Sequence, residues 1–356
     1  MKIAIVGVGL IGGSIGLAAR ERLGAEVAGW DPGEGVLEAA LDVGALDRAA
    51  TDAASALRGA EAAFVAAPVG ALPAAVTEAL AAAGDDCVVS DVGSTKRAIV
   101  DAVRDERFIG GHPLAGAENA GVRNARAGLF DGATWYLTPT AGARGTLYER
   151  LHRLLSGLGA MPAALDAETH DRMLATVSHL PHVLANVLVA QAARALSEER
   201  ERLPATGPSF RDITRVAGAN TAIWRDIYLA NADALIAAID DATARLADVR
   251  GALERGDGAA VARWNDSARD DRRKLLEADL AGGTVAELRV SVPNRPGVVA
   301  DVALVLGRGG VNILDMALYP APDRSSGYIV LWIAGEERAA QAEALVAGLG
   351  LPVARA

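Results

Sequence analysis

MKIAIVGVGLIGGSIG (Met1–Gly16) is a short apolar strand that runs straight into Gly7-x-Gly9-x-x-Gly12. Nothing polar interrupts Ile3, Ala4, Ile5 and Val6, which read as a fully buried strand. The glycines allow a tight turn, close approach of backbone to a pyrophosphate, and close packing of the following helix on the sheet. That helix would turn its free amides, beginning at Leu10 and Ile11, and its positive dipole end toward the phosphates. Nineteen residues beyond Gly12, the apolar run Glu26–Trp30 ends in Asp31. An acid there is placed to accept hydrogen bonds from the ribose hydroxyls of NAD and to repel a 2′-phosphate. Strand, glycines, helix and acid in register imply NAD binding by Gly7, Gly9, Leu10, Ile11, Gly12 and Asp31.

The totals allow more than one domain. The chain has 356 residues, 51% apolar and 22% charged, enough material for two or three packed cores. A net charge of −10 argues against a nucleic-acid partner, which needs clustered Lys and Arg. The single cysteine, Cys87, lies in an apolar run and reads as an inert core thiol. No charged leader precedes the first strand. The longest apolar stretch, residues 180–193, contains Pro181, His182 and Asn186, which speaks against a membrane span. A cytoplasmic protein is expected.

Residues 1–164 alternate short apolar runs with helical patterns, which predicts a doubly wound parallel sheet. After the first two strands come Ala63–Ala67, Cys87–Ser90, Phe108–Gly111, Thr134–Thr138 and a short run near Ala163–Leu165, with helices over 71–83, 94–105 and 147–158. Residues 168–280 contain no convincing strand and carry helical periodicity, as in Met173, Val177, Leu180, Leu184 and Leu188, which marks a helical domain over 165–283. This is an all-helical domain, a candidate dimer face, with a kink or break expected at Pro181 and a loop over Leu203–Ser209. Beyond the linker Ala281-Gly282-Gly283, residues 284–356 run strand, helix, strand, strand, helix, strand, a small ferredoxin-like α+β domain.

Ligands of open parallel sheets bind beyond the carboxyl ends of the strands. Two polar clusters sit there: Ser90-Asp91-Val92-Gly93-Ser94-Thr95-Lys96 and Gly110-Gly111-His112-Pro113. A strand-end His112 suits proton transfer beside a nicotinamide, since an ordinary imidazole titrates near neutrality. It could equally be a loop histidine bonded to local backbone. Ser94 reads either as a neighbour that orients it or as a helix N-cap. His179 and His182, three residues apart, share a helix face, and no third ligand or HExxH pattern suggests a metal. The stretch Ser209–Arg215, followed by Trp224-Arg225-Asp226, is either a solvated salt-bridged face or an Arg fork for a substrate carboxylate.

GxGxxGGS, DVGSTK, GGHPLAGAE, SHLPH and FRDITRVA with WRD downstream, in this order, resemble the prephenate dehydrogenase family of tyrosine biosynthesis over residues 1 to about 280. VPNRPGVVADVALVLGRGGVNI resembles an ACT domain, a regulatory amino-acid-binding module. The resemblance implies that His112 takes the proton of the prephenate C4 hydroxyl as hydride leaves for NAD⁺, with loss of CO₂ giving 4-hydroxyphenylpyruvate. It implies that Ser94 orients His112 and the nicotinamide, with Pro68 also on the cofactor. By the same resemblance Arg215 binds a substrate carboxylate, His179 and His182 line the pocket, Glu118, Arg211 and Asp212 form a charged network at its mouth, and Trp224 packs nearby. An amino-acid effector, L-tyrosine, would bind through Asn294, Arg295, Pro296, Gly297, Asn312 and Ile313, and the assembly would be a homodimer.

Two positions depart from the family pattern. Ala117 stands where a Ser or Thr is common, and the approach to FRD is the stiffer Thr206-Gly207-Pro208-Ser209. Arogenate, with an amine in place of the keto group, is the alternative substrate, and a non-catalytic NAD-sensing regulator is the alternative class. β-Hydroxyacid dehydrogenases use a Lys in their helical domain. Here the only Lys in 165–283 is Lys274, near its far end.

Overall fold

The computed structural model describes the chain except residues 117–118, 141, 199–205, 280–284, 296–297, 312, 322–324 and 356. It divides into two compact units, Met1–Thr243 and Ala244–Ala356.

In the first unit, β1 (Lys2–Val6), β2 (Glu26–Trp30), β3 (Arg48–Ala49), β4 (Ala62–Val65) and β5 (Val88–Asp91) form a parallel sheet in the order β3-β2-β1-β4-β5. Both faces are covered, as an all-parallel sheet requires. Ile3 and Ile5 pack with Val27, Phe64 and Val88 on one side. Ala4 and Val6 pack with Val65, Leu72 and Val89 on the other. Strand order reverses between β1 and β4, so a crevice opens beyond their carboxyl ends. The two-residue β3 is too short to announce itself as an apolar run.

The expected uniform parallel sheet ends at β5. The next strands, β6 (Ile109–Pro113), β7 (Thr134–Pro139) and β8 (Met161–Ala164), form a separate three-stranded sheet. In it β6 and β7 are antiparallel and β7 and β8 parallel. One parallel bridge, Val89 to Phe108, links its edge to β5. The segment joining β6 to β7 contains only short 3-10 turns among its described residues, not a packed crossover helix. Without a crossover the chain returns in the opposite direction.

The rest of the first unit is helical. Ala167–Leu174 leads into a π turn, Ala175–His179, and then into the helix Leu180–Glu198. The expected break at Pro181 is this π turn, so the helical run continues. Proline has no N–H for a carbonyl four residues back, and Leu180 N–H reaches five residues back, to the Ala175 carbonyl. Within the 28-residue run Ala167–Arg194 an 18-residue window has a mean hydropathy of 1.5 and is long and apolar enough by length and composition to cross a membrane. The run also carries His170, Asp171, His179 and His182, all buried in the folded unit. Helices Pro208–Thr214 and Thr221–Ala230 follow, and helix Ala232–Glu254 runs across the boundary at Thr243. The first of these begins within the stretch expected as loop, with Pro208 at its start, where a missing N–H is harmless.

In the second unit, helix Gly258–Asp279 precedes β9 (Val285–Pro293), helix Val298–Arg308, β10 (Ile313–Pro320), β11 (Ser326–Ala334), helix Glu336–Ala347 and β12 (Val353–Arg355). The sheet order β10-β11-β9-β12, with every pairing antiparallel, is the ferredoxin-like arrangement. Leu288, Val290, Ile329 and Leu331 of the sheet pack against Val302, Leu306, Ala342 and Val346 of the two helices. The linker Ala281-Gly282-Gly283 lies outside the described residues.

Candidate active site

The glycine turn fits a dinucleotide. Gly7 has φ +92°, and a Cβ there would lie 2.4 Å from the Ala66 carbonyl oxygen; at Gly12 it would lie 2.1 Å from that of Gly7. Gly9, at the N-cap of helix Leu10–Leu23, has nothing within 4 Å of an added Cβ. The turn is therefore tight where backbone meets backbone and open where the helix presents the amides of Leu10, Ile11 and Gly12, which have no intrahelical acceptor. Asp31 accepts from Val8 N–H at 2.7 Å and Gly33 N–H at 2.7 Å, so the acid at the end of β2 braces the turn. Pro68 follows β4 on the other side of the crevice, at the start of the 3-10 turn Val69–Ala71.

A cavity of about 300 Å³ is lined by Ser94, His112, Pro113, Leu114, Ala115, Leu174, Val177, Ser178, His179, Trp224 and Ile227. It joins the loop after β5, the end of β6 and two helices. Behind it, Asp91 and Lys96 form a wholly buried ion pair. Asp91 also accepts from Gly93 N–H at 2.8 Å and Gly111 N–H at 3.1 Å, tying the Ser94 loop to the strand that carries His112. Burial pushes the Lys96 ammonium down and Asp91 opposes that shift.

His112 is held by residues that the motifs did not single out. Its Nδ1 lies 2.9 Å from His170 Nε2, and His170 Nδ1 lies 2.8 Å from Asp171 Oδ1. Asp171 also accepts the amides of Lys96 (2.7 Å) and Arg97 (2.9 Å), and so caps the helix Arg97–Ala102 from a distant part of the chain. The cap considered for Ser94 thus belongs to Asp171, and the hydrogen bond to His112 Nδ1 comes from His170. Burial holds the His112 imidazole well below the ordinary histidine range, with His170, Lys96 and His179 adding to the shift.

His179 is buried beside Asn231, whose side-chain amide approaches its Nδ1 at 3.2 Å and donates to the Asp171 carbonyl at 2.7 Å. An accepting Nδ1 puts the hydrogen on Nε2, which has no hydrogen-bond partner. Burial lowers this ring to about 4, against Asp171, so it stays neutral and offers the cavity a donor. His182 stacks on Trp224, with ring centroids 3.6 Å apart and planes 5° apart, and its Nδ1 meets the Tyr228 hydroxyl. Burial lowers its pKa too, opposed by the Val216 backbone.

Arg211, Asp212 and Arg215, on or just after helix Pro208–Thr214, are exposed and do not line the cavity. Arg211 donates to the Thr206 carbonyl at 3.1 Å. Glu118 and Ala117 lie outside the described residues. In the second unit, Arg295 pairs with Asp301 at 2.9 Å, and the Asn294 backbone amide donates to the Ser325 carbonyl at 3.0 Å; Ile313 opens β10 opposite Ile333, at the other end of the sheet from Asn294. Pro296, Gly297 and Asn312 are also outside the described residues. Cys87 is buried, and burial pushes its thiol up to about 11.

Prephenate dehydrogenase of Bacillus subtilis (strain 168) is 32% identical over 352 residues, which span 96% of this chain and 94% of that protein. The chain belongs to the prephenate dehydrogenase family. Family profiles agree: residues 15–162 match the prephenate dehydrogenase nucleotide-binding domain, 166–265 the prephenate dehydrogenase dimerization domain, and 288–349 an ACT domain like that of the AHAS small subunit. Among solved structures, prephenate dehydrogenase from A. aeolicus in complex with hydroxyphenyl propionate and NAD⁺ matches with TM-score 0.73 and 27% identity over 77% of this chain and 98% of that one. Synechocystis arogenate dehydrogenase matches with TM-score 0.68 and 26% identity over 77% and 100%. This member of the prephenate dehydrogenase family is an NAD-dependent dehydrogenase, and it carries a C-terminal ACT-like domain.

Proposed function

We propose that the chain oxidises and decarboxylates prephenate to 4-hydroxyphenylpyruvate, with His112 as the proton acceptor. The observation that carries this is His112 itself: a neutral imidazole, anchored through Nδ1, on the wall of a cavity at the carboxyl end of the sheet. Its remaining nitrogen, Nε2, is the one available to the substrate. NAD⁺, held by Gly7, Gly9, Leu10, Ile11, Gly12, Asp31 and Pro68, supplies a hydride acceptor. His112 Nε2 receives the C4 hydroxyl proton as the C4 hydrogen leaves as hydride and the carbonyl forms; the electron pair released with CO₂ makes the ring aromatic, and the C4 oxygen takes a proton back to give the phenol. Ser94 and the Nε2–H of His179 are donors for the substrate's oxygens, and Trp224 supplies an aromatic wall.

Prephenate is preferred to arogenate because the Bacillus subtilis relative that matches 96% of this chain is a prephenate dehydrogenase. Arg215 is assigned to a substrate carboxylate on the family resemblance; it is exposed just after helix Pro208–Thr214 and outside the cavity lining. We divide the chain into a nucleotide-binding domain (1–164), a helical domain (165–283) and an ACT domain (284–356), the last binding an amino-acid effector such as L-tyrosine. A homodimer formed through the helical domain accounts for its exposed apolar side chains, among them Val177, Val187 and Leu229. Steady-state kinetics with prephenate and arogenate, each against NAD⁺ and NADP⁺, test the reading. NADH formation fastest with prephenate is the expected result, and no turnover with prephenate across pH would overturn it.

A further inference from the structure

We infer that His170 and Asp171 are positioning residues for His112: they fix which nitrogen of its ring carries the hydrogen and balance the charge the ring acquires. The inference rests on the proposed reading of His112 as proton acceptor.

Asp171 sets the direction of the chain of hydrogen bonds. Its carboxylate accepts, so the His170 Nδ1 at 2.8 Å carries a hydrogen. A neutral His170 then has a bare Nε2, which accepts from His112 Nδ1 at 2.9 Å. His112 is left with its lone pair on Nε2, the form a base needs. Turning the His112 tautomer over would place two lone pairs face to face between the rings and leave no hydrogen bond there.

The surroundings hold this arrangement still. Asp171 cannot swing, because both its oxygens also take backbone amides, from Lys96 and Arg97. His170 is fully buried and meets His112 and Tyr136 edge-on, at 5.1 and 5.8 Å between ring centroids. The Tyr136 hydroxyl is directed to Met173 Sδ, not to the histidines. The charged and titratable groups around the array are Lys96 with its partner Asp91 from the loop after β5, and His179 from the π turn. On the far side of Asp171 are Glu168, Arg172, and Arg97 paired with Asp233. Lys96 opposes a cation on His112, and Asp91 offsets Lys96. Asp171 is the carboxylate that reaches His112 through a continuous hydrogen-bonded path. When Nε2 takes up the substrate proton, the Nδ1–H bond to His170 becomes charge-assisted, roughly twice as strong as a neutral one.

The test uses the full chain labelled with ¹⁵N-histidine. It has five histidines, so each resonance can be assigned by single substitutions. At neutral pH we expect His112 and His170 both to be Nδ1–H, and His112 to lose that preference in His170→Phe. Finding the hydrogen on His112 Nε2 in the unaltered protein would overturn the inference whether or not prephenate is the substrate. In kinetics, His170→Phe is expected to lower kcat about 10²-fold or more, with NAD affinity unchanged. His170→Gln, which restores an acceptor for Nδ1–H, should recover at least about tenfold of that loss. In Asp171→Asn the acid limb of kcat/KM should move to lower pH, because removing the anion disfavours protonated His112. A merely structural role would lower the melting temperature and leave both tautomer and acid limb in place. If His170→Phe does not fold, the wild-type tautomer and Asp171→Asn decide the question. An unaltered enzyme that turns over neither substrate would instead defeat the proposed function.

Discussion

His179 has a folded-state pKa of about 4 because it is buried with only a neutral amide at its Nδ1. The unfolded chain therefore binds an extra proton between the ordinary value near 6.5 and the folded value. The stabilisation is complete above about pH 6.5 and is lost as pH falls toward 4. For this residue alone the loss is roughly 2 kcal/mol by pH 5, and His112 and His182 act in the same direction. Urea unfolding at pH 7 and pH 5 should show the drop, and His179→Gln should shrink it by that amount. An unchanged drop would mean that His179 is not the group responsible. His112→Asn is expected to lower kcat by about 10²–10⁴-fold, with stopped-flow NADH formation as the readout; near-normal turnover would remove it from the chemistry. At this scale His112, Ser94, His179 and Trp224 were legible, because strand-end position and motif order placed them. His170 and Asp171 were not. Nine residues at 100° each set His170 and His179 about 180° apart on an ordinary helix, so no face reading would join them.

The π turn narrows that separation. It takes up one additional residue at 175–179, which brings the two sides about 100° closer, and Asn231 joins them by donating to the Asp171 carbonyl and approaching His179 Nδ1. Pro181 shows that the helix is disturbed here, but a missing N–H alone does not distinguish a kink from a widened turn. Pro181→Ala restores an amide at 181 and lets the turn tighten. We expect KM for prephenate to rise about tenfold, since a shift near 1 Å is costly at a reacting site, while the melting temperature changes little. Unchanged kinetics would show that packing around 175–179, not proline, sets the turn. The strands tell a similar story. The run that became β7 was visible as an apolar stretch, but its direction depends on how the chain travels between β6 and β7, which hydrophobic pattern does not encode.

Three regions were visible in composition, while the structure groups the chain as two compact units divided at Thr243. The helical part leaves Val187, Ile213, Ile223 and Leu229 exposed and matches the dimerization domain of the family. Sedimentation should therefore show a dimer, and Leu229→Glu should shift it toward monomer; a monomeric unaltered chain would reject the assembly. Ending the chain at residue 283 should abolish inhibition by an amino-acid effector and spare basal turnover, whereas inhibition that survives would place the effector outside the ACT domain. One carboxylate, that of Asp171, seats a helix of the nucleotide-binding part and also anchors the pair of imidazoles. Architecture and chemistry are thus pleiotropic at a single position. Variation that alters the seat is felt by the base, and retuning the base is felt by the seat, so the two properties can change in this protein only together.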